Sequence, residues 1–463
     1  MNNHVNSADQ PESVDGQRQP VTVSRRRLLQ MLGIGGVMGA TSACSGTSLA
    51  SSSKTPKSAK SPKQSKSPGS TKSSSGKRTA NPGAATPNIS GPGANRVLVV
   101  LEMQGGHDGF SMLVPYGDAR FRSLRERGWT DPKELHVLDD RYALAKGLAP
   151  IADRLSLIEG VGVAKPDLSH FAMLQRWWHG DPDGVGNQLT GFLGRCCDVR
   201  AGSEPVTGLT LGGGSTPSLI TAKATTVALP ALDSVRELSV NNEENRRLKA
   251  TLAGLANNGL VSKKTLGTSE STDNLIAAAR RGLVSSIDLS TMVGRIGEAP
   301  KGYPENDIAS ALSMSRQLIS LDAGIRIIHI PWGSFDTHSG SVGTHNDHMV
   351  RLGAALAAFD KDLKANGLGD RVLLASTSEF GRRPEANQSG TDHGTASTMM
   401  LLGPTKPGRH GSPPNFGGLD GNGNVKATVS MADYYATLAQ WLGIDPSDVL
   451  SKGATPIDTL GIS

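Results

Sequence analysis

Five short runs of large apolar side chains constrain this 463-residue chain most. They occupy residues 97–101 (VLVVL), 155–158 (LSLI), 325–330 (IRIIHI), 371–376 (RVLLAS) and 399–402 (MMLL). Each is too short for a buried helix. The first is rich in β-branched residues and apolar without alternation, as in a strand covered on both faces. Longer amphipathic stretches lie between and after them. In 345–365, Met349, Leu352, Leu356, Phe359 and Leu363 recur at helical spacing before an Asn366-Gly367 stop, and 431–442 repeats the pattern. Strands alternating with helices predict an α/β fold: a three-layer sandwich around a parallel-rich sheet. Residues 230–320 are polar and helix-prone, with no clear strand, and read as a helical insertion or cap. No internal repeat is present.

The first 95 residues have a different character. Residues 45–95 are almost wholly Ser, Lys, Pro, Gly, Thr and Ala, with no acidic residue, so they lack the apolar surface needed to offset chain entropy. A disordered tether is expected there. Residues 1–95 hold 12 Lys and Arg against 3 Asp and Glu, whereas the whole chain is +6, which leaves about −3 for residues 96–463. The basic balance therefore belongs to the tether, and without a recognised module it does not indicate nucleic-acid binding. Upstream, Ser24-Arg25-Arg26-Arg27-Leu28-Leu29 precedes a short Gly-rich apolar run from Met31 to Ala40. This resembles a twin-arginine export signal, in a run too short to span a bilayer. Thr41-Ser42-Ala43-Cys44 resembles a lipobox, with Thr41 where a Leu-like residue is usual. The expectation is export and a lipid anchor on Cys44, with the folded domain held on the outer face of the cytoplasmic membrane. Of the three cysteines, Cys196 and Cys197 are adjacent, which excludes a disulfide framework and a Cys-rich zinc site.

In open α/β sheets ligands bind beyond the carboxyl ends of the strands. Here the first run leads into Gly105-Gly106-His107-Asp108-Gly109, the third into Phe335-Asp336-Thr337-His338, and the fourth into Ser378-Glu379-Phe380-Gly381-Arg382. Gly390-Thr391-Asp392-His393-Gly394 stands before the fifth. Carboxylates gathered at one rim repel one another, and a divalent cation resolves the repulsion; mixed with imidazole they suit zinc or manganese. Taken singly, each element has a plainer reading, as an Asx turn or a helix cap.

The ordered set Gly-Gly-His-Asp-Gly-Phe, Phe-Asp-Thr-His, Ser-Glu-Phe-Gly-Arg and Gly-Thr-Asp-His-Gly, supported by Ser169-His170-Phe171 and by Thr190-Gly191-Phe192, resembles one widespread family. It is the uncharacterised, twin-arginine-exported family placed in the alkaline phosphatase/sulfatase-like superfamily. The resemblance covers roughly residues 96–445. It implies an alkaline phosphatase-like fold, one or two metal ions, and hydrolysis of small anionic phosphate or sulfate esters through a Ser or Thr nucleophile. It places Asp108 on one metal and Asp336, His338 and His393 on another, with Glu379 where the superfamily has Asp. Ser169 is the candidate nucleophile, or else the cap of the following helix. Arg382 contacts an anionic oxygen, or else pairs with a carboxylate. The superfamily also shows a His where this chain has Phe380, so His107 or His170 would have to replace that ligand. Gly333-Ser334 stands where the family has Gly-Gly. The alternative function is a non-catalytic, metal-binding envelope lipoprotein that binds a partner or a glycan.

Other candidates fail. The Asp420–Asn424 loop lacks the Gly and Glu of a calcium loop. His345 and His348 are expected to be solvated, His329 to be a satisfied sheet histidine, and Trp177-Trp178 to pack the core or rim a cleft. There is no nucleophile elbow, P-loop or dinucleotide fingerprint.

Overall fold

The computed structural model describes residues 92–125, 131–184, 189–202, 206–229, 246, 250, 292–387, 389–451 and 453–462. The export signal, Cys44 and nearly all of the tether lie outside these residues, as does most of 230–291. Among the described residues no helix is long and apolar enough to cross a membrane.

All five apolar runs are strands of one nine-stranded sheet. In chain order its strands are β1 (Val97–Gln104), β2 (Leu155–Gly162), β3 (Gly208–Leu211), β4 (Thr226–Leu229), β5 (Ile327–Gly333), β6 (Val372–Thr377), β7 (Ala396–Leu402), β8 (Gly408–Gly411) and β9 (Val429–Ser430). Their order across the sheet is β8-β2-β7-β6-β1-β5-β3-β4, with β9 also on β2. β1 is central, with Leu98 opposite Ile327 on one side and Leu373 on the other, both pairings parallel. β7 alone runs against its neighbours β2 and β6. The start of β7 therefore lies at the edge where the other strands end.

Both faces are covered, which explains the unbroken apolar runs. Val97, Val99, Leu101 and Met103 pack on one face with α3 (Asp307–Ser320) and α4 (Ser341–Ala365). Leu98 and Val100 pack on the other with α1 (His170–His179), α2 (Phe192–Arg200) and α5 (Met431–Trp441). The protein is thus an α/β three-layer sandwich with a mostly parallel sheet. Asn306 and Ser430 cap α3 and α5 by accepting the N–H of Ala309 and Asp433.

Three expectations need correction. α3, at the end of the segment read as an insertion, is a core helix: Ile308, Leu312 and Leu318 are fully buried beside α4. His345 and His348 are buried, not solvated. His345 stacks on His107, and His348 packs against Trp332 and Phe335. Burial holds both imidazoles below the ordinary value, His345 at about 4.

Candidate metal centre

β1, β5 and β6 deliver their following loops to one edge, and β2 leads there into the start of α1. A hairpin, Gly381–Ala386 with Thr391–Gly394, joins β6 to β7 over the same edge. Close backbone packing sets the loops. Gly105 has φ +108, and a Cβ there would lie 2.4 Å from the Asp336 nitrogen, so only glycine fits.

Asp336 is the hub. Its Oδ1 accepts from Arg382 at 2.9 Å, and His338 Nδ1 stands 3.0 Å from it. His393 Nε2 stands 3.3 Å from Oδ1, and His170 Nε2 stands 3.5 Å from Oδ2. Ligand atoms of His170, Asp336 and His393 all lie within 4.8 Å of one another. Burial raises the Asp336 carboxyl, but the hydrogen bond from Arg382 outweighs it and keeps the group below its ordinary value. Burial lowers His393, which is therefore neutral at neutral pH.

The tautomers decide what this arrangement can do. His393 Nδ1 donates to the Leu168 carbonyl at 2.8 Å, so its Nε2 carries a lone pair. His170 Nδ1 donates to Glu379 Oε1 at 2.9 Å, an oxygen that also accepts the Gly105 N–H at 2.8 Å. The Nε2 of His170 is turned to Asp336 Oδ2. The His393 lone pair thus faces a carboxylate with no hydrogen between them, which is repulsive unless a cation lies beside them. Tetrahedral ligands at ordinary zinc bond lengths are themselves about 3.3–3.6 Å apart. The donor set fits zinc or manganese, and Glu379 and the Leu168 carbonyl supply the outer hydrogen bonds that fix ligating histidines. Leu168 sits at φ +64, unfavourable for a branched side chain, and it is this backbone that aims the carbonyl at His393.

The residues expected at the site divide. Asp336 and His393 meet there, His170 takes the place left by Phe380, and half-exposed His338 stands beside Asp336. Glu379 is 2% exposed and holds His170, one step behind the donors. Asp108 lies apart. Arg125 clamps it with bonds of 2.6 and 3.1 Å, and Ser111 and the Phe110 N–H fill its remaining acceptor positions. Burial opposes the Asp108 charge, but Arg125 overcomes it and holds the carboxyl far below its usual range. Arg382 does not face an anion site. It is fully buried and donates to the carbonyls of Gly105, Gly106, Phe335 and Thr391 as well as to Asp336, so it positions loops. His107 points to His345, with their Nε2 atoms 3.3 Å apart. Ser169 occupies the N-cap of α1, yet its side chain makes no cap bond and its hydroxyl has no partner among the described residues. The Leu168 carbonyl had no signal in the sequence.

A family model described as "Protein of unknown function (DUF1501)" matches residues 160–456, a span that takes in His170, Asp336, Glu379 and His393. The chain belongs to the DUF1501 family. No curated protein matches this DUF1501 chain. Solved structures similar to it include Ps i-CgsB in complex with k-i-k-neocarrahexaose, at 10% identity over 78% of this chain and 75% of that one, with a TM-score of 0.38. The PsFucS1 sulfatase from Pseudoalteromonas sp. matches at 10% identity over 78% and 73%, with a TM-score of 0.31. The C-terminal periplasmic domain of EcEptC from Escherichia coli matches at 12% identity over 77% and 87%, with a TM-score of 0.31.

Two predictions arise from this DUF1501 site. Glu379→Gln replaces the acceptor of the His170 proton with a weaker one, and metal affinity should fall by about 10–100-fold in a competition titration, with the fold unchanged by circular dichroism. Ser334 holds φ +114, in backbone territory that suits glycine. Ser334→Gly should therefore raise stability by roughly 1 kcal/mol in urea unfolding, the relief of strain exceeding the added chain entropy.

Proposed function

We propose that this chain is an exported, metal-dependent hydrolase of phosphate or sulfate esters. The reading is carried by one observation: His170, Asp336 and His393 bring three ligand atoms within 4.8 Å of one another, with each imidazole held by a hydrogen bond at its other ring nitrogen. A bound zinc or manganese ion would supply Lewis acidity toward an ester oxygen and lower the pKa of a hydroxyl beside it. His338, exposed at the rim, stands at hydrogen-bond distance from Asp336 and is placed to meet incoming substrate or solvent. Ser169 precedes His170, and its unengaged hydroxyl is the nucleophile in this reading. Arg382, Glu379 and the Leu168 carbonyl orient the donors. The twin-arginine-like segment and the lipobox-like Cys44 support export and anchoring at the envelope.

The test uses the purified full chain. Metal content by mass spectrometry should be about one ion per chain, since one three-donor cluster is present among the described residues. Aryl phosphate or aryl sulfate should be cleaved in a chelator-sensitive way. Ser169→Ala should keep the metal and lose turnover by about 10²-fold or more. A metal-loaded wild type that cleaves neither ester would leave the alternative, a non-catalytic metal-binding envelope protein.

A further inference from the structure

The outer side of α1 has the wrong residues for a surface helix. Its inner side is ordinary: Met173 and Trp177, four residues apart, are buried, and Tyr434 and Tyr435 meet the Trp177 ring edge-on. On the outer side, where polar residues are expected, stand Phe171, Leu174 and Trp178. At about 100° per residue these three fall on a strip roughly 60° wide that runs beside the line of His170. Phe171 is 85% exposed, more than any other large apolar residue among those described. Leu174 and Trp178 are half-buried.

An isolated apolar side chain in water needs no explanation, but a strip beside a cluster of metal donors does. Phe171 directly follows His170, whose Nε2 stands 3.5 Å from Asp336 Oδ2. The Cα–Cβ bonds of a helix tilt toward its N-terminus, and the N-terminus of α1 lies at the cluster, so Phe171 leans toward the opening of the centre. The strip's other end is also at this edge of the sheet. About 10 Å along the axis, Trp178 lines a cleft of about 290 Å³ with Gln104 and Pro331, near the ends of β1 and β5. Its Nε1 donates to buried Glu102 at 3.0 Å, which fixes the indole. The nearest cation of the helix turns away, since Arg176 donates to the carbonyls of Lys165 and Pro182. An apolar surface therefore begins at the donors and continues without a charge.

We propose that Phe171, with Leu174 behind it, is the platform that selects the substrate's leaving group, holding a flat aromatic ring while the acid end of the ester reaches His170, Asp336 and His393. Aromatic rings pair edge-on or offset, and a ring laid on Phe171 leaves water on one face. A bilayer or a second copy seated on the strip would cover the mouth of the centre, whereas a substrate uses both at once. The ester bond rests on the hydrolase reading; the preference for a ring does not require turnover.

The experiment titrates the zinc-loaded full chain by calorimetry with phenylphosphonate and with methylphosphonate, whose carbon–phosphorus bonds are not hydrolysed. The phenyl compound should bind about 10-fold more tightly in wild type and about 2-fold or less in Phe171→Ser, with the preference restored in Phe171→Trp. Zinc affinity and urea unfolding should not change in Phe171→Ser, because the ring already stands in water. With phenyl phosphate as substrate, that variant should raise KM and leave kcat unaltered. No phenylphosphonate binding, no phenyl preference in wild type, the same preference in Phe171→Ser, or loss of zinc from that variant would each overturn the assignment. Phe171-dependent binding to phosphatidylcholine vesicles, or a Phe171-dependent dimer in sedimentation velocity, would overturn it in favour of lipid or a second copy. A phenyl preference in a wild type that hydrolyses no ester would uphold the platform and reject only the hydrolase reading.

Discussion

Asp336→Asn should empty the metal centre and abolish stabilisation by metal. Asp336 is the only carboxylate in the three-donor cluster, and His170, His338, His393 and Arg382 all meet it. An asparagine keeps the shape but replaces one acceptor oxygen with a donating NH2. The variant also loses the ion pair with fully buried Arg382, so in chelator it should be somewhat less stable than wild type. With metal present the gap widens. Wild type gains about 2.7 kcal/mol at a metal concentration 100-fold above its Kd, and the variant gains none. Loss of a direct ligand exceeds the roughly 10–100-fold cost of an outer partner, so affinity should drop at least about 10³-fold. Thermal melts with and without zinc or manganese read both effects. Equal metal-dependent stabilisation of the two proteins would remove Asp336 from the ligand set.

The second large effect is at Arg125, outside the three-donor cluster. Its guanidinium and the Asp108 carboxylate form a forked pair with both partners almost wholly buried. Removing one partner strands a charge in the interior, so Arg125→Leu should lose about 3–5 kcal/mol in urea unfolding. Asp108→Asn combined with Arg125→Leu should recover part of it. The pH dependence gives a sharper test. In wild type the folded Asp108 lies below its unfolded value, so its contribution is complete above the ordinary carboxylate range and fades as pH falls below it. In Arg125→Leu the stranded carboxyl should lie above its unfolded value, because burial then acts unopposed. The variant should therefore gain stability as pH is lowered from 7 toward 5.

Much of this architecture is legible in the residues. Strands covered on both faces cannot alternate, and that rule located β1, β2, β5, β6 and β7 from their apolar runs. β3 and β4, only four residues each, are too short to stand out from loops. The reversal of β7 left no local trace, since side-chain pattern reports burial and not direction. In the site, Asp336 and His393 were readable because acids and imidazoles follow strand ends where backbone loops converge. Asp108 satisfied the same rule and yet serves another purpose, because its partner is an arginine 17 residues on and outside any motif. Arg382 is similar: a guanidinium beside a glycine-rich turn can face a ligand or tie loops together, and only the carbonyls of Gly105, Gly106, Phe335 and Thr391 decide between them.

The central position of β1 has a consequence for how the molecule is made. β1 is the first of the described strands to leave the ribosome, yet its neighbours carry Ile327 and Val372, and until those are synthesised its backbone has no permanent partner in the sheet. Closure over such lengths of polypeptide is slow, and an unpaired apolar strand is open to wrong associations in the meantime. Nascent chains stalled before residue 327 should consequently be protease-sensitive throughout, and chains released beyond residue 402 should become resistant in a single step.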